Sequence, residues 1–324
     1  MKETTKIKIT CVVLAVVLPI FLAYVMSKLE TEPRNAKTIE IMEPAQKKEP
    51  VIEIDVVDAS GTHIKMNLDE YLLGVLLCEM PANFESEALK AQAVAARTYT
   101  LRRSNVEDKH KDATVCMDPS CCHGYTKTAD YLKNGGTADS VDKVAKAVNA
   151  TTGEVLLYQG ELIEATYFSC SGGMTEDAVA VWGTDIPYLQ ATPSPGEEKA
   201  TYYTDTIQYN KDVIAQRLGV SFQGNADGWF EITEYTDGGG VARINVCGVD
   251  FKGTEFRSLL NLRSTIFTIT AVGNTVTITT KGYGHRVGMS QYGAEAMALQ
   301  GNTYQEILAY YYQGTELSRI SVNN

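Results

Sequence analysis

The chain has 324 residues, 44% of them hydrophobic and 21% charged, with a formal net charge of −11. That length and apolar share support a sizeable core divided between two lobes. The acidic balance, with no Lys/Arg cluster to follow a phosphate backbone, excludes nucleic acid as a partner, and neither an internal repeat nor a collagenous, coiled-coil or disordered composition is present.

Residues 1–8 form a short head carrying Lys2, Lys6 and Lys8. Residues 9–26 follow without a charge and would span roughly 27 Å as a helix, enough for a bilayer core, where Pro19 is tolerable. No small-x-small cleavage site follows the apolar run, so it reads as an uncleaved anchor rather than a signal peptide. Lys28, Arg34 and Lys37 lie just beyond it, which leaves the positive-inside count nearly tied; the short head favours a cytoplasmic N-terminus and an external body. Residues 27–50 are charged and proline-punctuated and read as a stalk.

The folded body begins near Val51. "VIEIDVV" and "HIKMNL" alternate at period two around Ser60–Gly61, predicting a hairpin. "DEYLLGVLLCEM" predicts a helix capped by Asn67 or Asp69 and stopped by Pro81. Ser86 can cap the next helix, to about Arg103, whose alanine face permits close packing. Residues 104–136 read as a loop-rich insert, and Asp139 to Ala150 as another helix. Strands are expected from residue 153 onward, then a loop at 170–189, a helix at Asn210–Leu218, and strands at 228–235, 241–251 and 265–280. Helices at Ser290–Leu299 and Thr303–Tyr312 close the chain, with Asn302 and Gln305 offering a capping box for the last. The order lacks a regular βαβ rhythm. The expected fold is therefore α+β, two mixed lobes (51–136 and 137–324, free to interleave) flanking a substrate cleft.

Four stretches carry chemistry. Glu79 sits at a helix C-terminus among Leu76, Leu77 and Met80, where the dipole and poor solvation both raise a carboxyl pKa. An acid that stays protonated suits C–O cleavage, although a surface glutamate at a helix end would read the same from this segment alone. In "GYGHRVGMSQYG" the glycines permit close approach of backbone to a ligand. Ser290 and Gln291 open a helix there, and His285 is a hydrogen-bonding candidate; a turn with a capping serine is the plainer reading. "CSGGMTEDAVAVWG" is a second Gly-rich loop with Thr175, Glu176 and Trp182, the last either a sugar platform or a core residue. Cys170 as a thiol nucleophile lacks a local signature. "HKDATVCMDPSCCHGY" brings His110, Cys116, Cys121, Cys122 and His123 within fourteen residues, suited to tetrahedral zinc, a Cys116–Cys122 disulfide or free thiols.

Taken together, "LDEYLLGVLLCEMPANFESEALKAQAVAARTYT", "ATYFSCSGGMTEDAVAVWG", "LLNLRSTIF" and "GYGHRVGMSQYGAEAMALQGNTYQEILAYYYQG" resemble the stage II sporulation protein D family, membrane-anchored lytic transglycosylases of endospore-forming bacteria. The resemblance implies that Glu79 is the catalytic acid. It implies nonhydrolytic cleavage of bonds between N-acetylmuramic acid and N-acetylglucosamine in peptide-stripped glycan, thinning septal peptidoglycan during engulfment. It also implies a single-pass membrane protein with its body between mother cell and forespore, acting with stage II sporulation proteins P (an amidase) and M. Ser290, Gln291, Tyr292 and His285 are the expected glycan contacts. His110, Cys116, Cys121 and Cys122 are the expected ligands of a structural zinc, with His123 the rival fourth. Amidase-enhancer proteins share these motifs, which keeps a noncatalytic, glycan-binding or amidase-activating role as the alternative. One departure stands out: relatives commonly carry "GHGVGMSQ", whereas Arg286 occupies the second glycine's place here, strained if that position needs positive φ.

Overall fold

Asn67 ends the first hairpin and starts the first helix in one residue. Strands Glu53–Val57 and His63–Asn67 pair antiparallel, and the Asn67 carboxamide oxygen then accepts from the Asp69 and Glu70 amides at 2.8 and 3.2 Å. Asp69 and Glu70 in the first turn complement the dipole. The computed structural model containing these elements describes residues 51–104, 110 and 113–320. The head, anchor and stalk read at 1–50 lie outside the described residues, and among those described no helix is long and apolar enough to cross a membrane.

The Leu68–Glu79 helix is buried nearly all round, through Leu68, Tyr71, Leu72, Gly74, Val75, Leu76 and Leu77. It stops where expected: Pro81 holds Met80 extended, at φ −131° and ψ 138°. The Ser86–Ser104 helix packs its buried alanines against it and against the Ala138–Ala150 helix. Arg97, fully buried, joins all three by donating to Asp69 Oδ1 at 2.9 Å, Thr151 O at 2.7 Å and Val148 O at 3.3 Å.

Several small sheets accompany the helices, so the fold is mixed α+β. Two apolar cores form. The larger draws on residues from Ile54 to Leu189 and again from Val287 to Tyr312. The smaller lies between Ile214 and Ile278. The cores do not divide at 136/137: the Ala138–Ala150 helix and both closing helices contribute to the first core. The second core is built from two antiparallel sheets. One is Phe230–Tyr235, Val241–Val246 and Val249–Lys252 in sequence order; the other sets Thr275–Lys281 between Ile266–Val272 and Thr204–Asn210.

Local expectations shift in places. The span expected as one strand at 265–280 is a hairpin, and 241–251 likewise folds back on itself. Short helices at Thr128–Lys133, Ala178–Trp182 and Gly253–Leu259, and a strand at Glu316–Arg319 beside Glu154–Tyr158, add to the reading. The capping box of the last helix is Thr303 with Glu306, one residue beyond the expected Asn302 and Gln305. Thr303 is the extended residue, and Glu306 Oε2 accepts its amide at 2.8 Å.

Arg286 joins the two cores. Its φ is +68°, the left-handed region that a side chain resists. The guanidinium is fully buried and donates to Ser171 O at 3.0 Å, Met174 O at 2.9 Å, Thr265 Oγ1 at 3.2 Å and Gly238 O. Its counter-charge is Glu176, 3.5 Å away and buried beside it. Glu176 is also held by Thr236 Oγ1 at 2.5 Å and the Gly238 amide at 3.2 Å. Arg286→Gly would relieve about 1–2 kcal/mol of backbone strain but remove one partner of a buried pair, a loss of about 3–5 kcal/mol. A net destabilisation of about 2 kcal/mol in urea unfolding is expected on that arithmetic; an unchanged midpoint would show that the pair contributes no more than the strain it offsets.

Candidate active site

Glu79 is placed by three local facts. Pro81 ends its helix, the next residues turn away, and the 123–126 segment crosses the helix close by. That crossing needs a glycine: a Cβ on Gly74 would lie 2.2 Å from the Tyr125 ring and 2.8 Å from Thr126 O. Across the gap Thr126 N donates to Gly74 O at 3.1 Å. The crossing sets the buried Gly124 amide on Glu79 Oε1 at 2.5 Å. Burial raises the carboxyl above its ordinary range, and the Gly124 hydrogen bond offsets only part of that.

The half-buried Glu79 side chain lines a cleft of about 940 Å³. Its walls include His123, Tyr167, Trp182, His285 and Gln291. Among the described residues two carboxylates line it, Glu79 and Glu164. Glu164 is clamped by Arg102 Nε at 3.0 Å and Arg103 Nη2 at 2.5 Å, and Glu79 is the acid without a cationic partner there.

The two imidazoles of the cleft are neutral. Burial pulls His123 down to about 3 and His285 down to about 4. His285 Nδ1 accepts from the Val287 amide at 3.1 Å, which leaves the proton on Nε2. Its ring is wedged between Phe168 and Trp182, at 5.7 and 5.5 Å between centroids. Tyr167 OH, His123 Nε2 and Gln291 Nε2 are buried atoms with no partner among the described residues. Unpaired buried polar groups cost free energy, so three in one cleft wall are candidates to bond a ligand or water there.

The expected glycan contacts divide. Gln291 and His285 line the cleft. Ser290 does not; it is fully buried, and its hydroxyl caps the Gln291–Leu299 helix by accepting from the Gly293 amide at 3.1 Å. Tyr292 also lies off the cleft, edge-on to Phe84 at 5.0 Å. Tyr167, Glu164 and Gly124 were not singled out in the sequence; the "YF" before the Gly-rich loop was the available sign for the first.

His110, Cys116, Cys121 and Cys122 offer four ligand atoms within 4.8 Å of one another. Tetrahedral zinc sets its ligands roughly 3.5–3.8 Å apart, which three thiols and an imidazole at this spacing can meet with small shifts. His110 Nε2 already faces Cys122 Sγ at 3.2 Å and Cys121 Sγ at 3.5 Å. His123, the rival fourth ligand, points elsewhere: its Nδ1 meets Tyr71 OH at 3.2 Å and its ring stacks on Tyr167. The three cysteines read for disulfide or nucleophilic roles (Cys116, Cys122 and Cys170) form no disulfide. Cys170 is fully buried, with its thiol pushed to about 12 by burial and by the Glu197 charge, which disqualifies it as a nucleophile.

The family profile described as "SpoIID: Stage II sporulation protein" matches residues 59–158. Stage II sporulation protein D of Bacillus amyloliquefaciens is 40% identical over 281 residues, 85% of this chain and 81% of that protein. Its counterpart in Bacillus subtilis (strain 168) is 41% identical over 255 residues, 78% of this chain and 74% of that protein. An amidase enhancer from the same strain is 32% identical over 303 residues, 76% of this chain but 40% of its own length.

A carboxyl whose folded pKa is raised binds more protons folded than unfolded between the two pKa values, so stability falls as pH rises through that window. Glu79→Gln keeps an oxygen for Gly124 and removes the charge. It is expected to raise the melting temperature at neutral pH and to give no gain at a pH below the ordinary carboxyl range. An equal or lower melting temperature at neutral pH would show that Glu79 is not held against its charge.

Proposed function

The chain belongs to the stage II sporulation protein D family of sporulation proteins, and from that premise we propose that its body is a peptidoglycan lytic transglycosylase with Glu79 as sole catalytic acid. The observation that carries the reading is Glu79 in a roomy cleft, its pKa raised by burial, beside no second unclamped carboxylate among the described residues. Hydrolases of glycosides ordinarily need two carboxylates, one as acid and one as base or nucleophile. One suffices when the nucleophile is the sugar's own 6-hydroxyl.

In that reaction the protonated Glu79 carboxyl gives its proton to the glycosidic oxygen as the bond from C1 of N-acetylmuramic acid breaks. The carboxylate left behind takes the proton of the C6 hydroxyl as that oxygen closes on C1. A 1,6-anhydro end and a free 4-hydroxyl result, with no water consumed and Glu79 reprotonated for the next cycle. Gln291, Tyr167 and His285 line the wall where the amide and hydroxyl groups of the glycan would lie. The Glu79 charge that forms midway is the one its surroundings disfavour, which drives the second proton transfer.

Zinc bound by His110, Cys116, Cys121 and Cys122 would be structural, since four protein ligands close the coordination sphere. When bound it would draw the thiol protons off and cross-link the segment whose residues 119–122 edge the cleft. The substrate class, peptide-stripped glycan, and the partners, stage II sporulation proteins P and M, follow the resemblance, as does an external body anchored through residues 9–26. The similarity to an amidase enhancer favours a second reading, a noncatalytic activator of an amidase.

Mass analysis of products from peptide-free glycan separates the two. Wild type is expected to release 1,6-anhydro ends, and Glu79→Gln to release none while still binding the strand; turnover by Glu79→Gln, or none by wild type, refutes the catalytic assignment. Metal analysis is expected to find one zinc per chain, lost in Cys116→Ser, with a lowered melting temperature. Full stability without stoichiometric metal would remove zinc from the account.

A further inference from the structure

A second cavity lies on the far side of Trp182. It measures about 590 Å³, within the range of roughly 300–1,000 Å³ typical of small-molecule sites. One wall is the Ala178–Trp182 helix, and the other is formed by the strands Phe230–Tyr235 and Val241–Val246 of the second core. Trp182 lines both this cavity and the Glu79 cleft. The two spaces thus meet at one indole, which is 43% exposed.

Three large apolar side chains around the second cavity are exposed: Val179 at 48%, Trp182, whose ring also packs on His285, at 43%, and Tyr235 at 61%. Tyr235 ends its strand and Trp182 ends its helix, so both rings stand at the rim. Between them the lining is polar, with Asp177, Thr236 and Thr254 among its residues. The charges partly cancel, since Arg243 Nε pairs with Glu234 at 3.3 Å. Aromatic faces at the rim with hydroxyl and carboxylate acceptors between them match a pyranose, which has apolar C–H faces and a belt of hydroxyls and amides. The floor is rigid as well. Thr236 donates to Glu176 at 2.5 Å, and Glu176 is the partner of the buried Arg286. An ordering cost on binding is therefore largely avoided.

We propose that this cavity is a second saccharide subsite, continuous with the catalytic cleft over Trp182, and that it holds the rings of a β-1,4-linked N-acetylhexosamine strand beyond those at Glu79. The proposal rests on the reading of the Glu79 cleft as a glycan site. It makes the Gly-rich loop leading into the Ala178–Trp182 helix a ridge that the polymer crosses. It also gives the second core, which supplies none of the residues named at the chemistry, a part in selecting long strands over short fragments.

The test uses the full-length protein in a Glu79→Gln background, so that binding is read without turnover. The probes are β-1,4-linked N-acetylglucosamine oligomers of three and six rings, titrated by calorimetry. The six-ring oligomer is expected to bind several-fold tighter than the three-ring one. Tyr235→Ala, at an exposed strand end away from either core, is expected to weaken the six-ring oligomer about fivefold, the scale of one lost aromatic contact, and to leave the three-ring affinity unchanged. Equal affinity of the two oligomers, or a Tyr235→Ala effect that is absent or the same for both, overturns the second subsite while leaving the cleft a glycan site. Failure of the parent to bind either oligomer overturns the glycan reading of the cleft and this proposal with it.

Discussion

The position of one carboxyl depends on a proline two residues later. Pro81 forbids the helical conformation to Met80, so the Leu68–Glu79 helix ends on its acid and that side chain meets the negative pole of the dipole. Burial works in the same direction, and a single amide, from Gly124, opposes both. The surroundings depend on this stop. The Tyr125 segment can cross the helix because Gly74 has no side chain, and in crossing it delivers Gly124 to the carboxyl and carries the Cys/His cluster to the edge of the same cleft. The placement of the candidate acid and the candidate metal cluster are therefore one piece of backbone geometry.

A second constraint holds the cores together. Where a glycine would rest without strain, the chain places Arg286 at φ +68° and recovers the cost through a guanidinium bonded on several sides. Its partners come from the 171–176 loop, the Gly238 turn and Thr265, which belong to different parts of the chain. Buried pairs of this sort stabilise little over an apolar substitute but discriminate strongly against any arrangement that leaves one charge alone. Arg286 thereby fixes how the Gly-rich loop, and with it Trp182 at the end of the following helix, sits relative to the second core. The adjacent His285 inherits that rigidity, since its Nδ1 is held by the Val287 amide.

What was legible in the sequence was local. The hairpin, the Asn67 cap and the proline stop are each decided within a few residues, and they appear as expected. The four-residue cluster around Cys121 was also legible, because short spacing constrains ligand atoms before any tertiary contact does. The cap of the last helix was displaced by one residue because Asn302 and Thr303 are both good caps, and only backbone dihedrals choose between them. Ser290 read as a ligand residue because a serine at a helix start serves either purpose; the helix took it. Which distant segments share a core was hidden, since Val287–Tyr312 joins the first core through contacts with residues some two hundred positions earlier. The clamp on Glu164 was hidden for the same reason, its arginines lying about sixty residues upstream.

The clamp has a consequence for selectivity. The chain carries a net charge of −11, yet its cleft is not acidic: Glu164 is outnumbered by two arginines, both cleft imidazoles are neutral, and Glu79 resists ionisation. The cleft thus offers dipoles and aromatic faces, with Arg103 as a cationic edge. A glycan freed of its peptides loses most of its ionisable groups and enters such a space without the desolvation cost that carboxylates and ammonium groups would carry. Under the proposed reading one acid is held protonated by burial, while the arginine that lines the same cleft is already engaged by Glu164 and leaves Glu79 without a cation to ionise it.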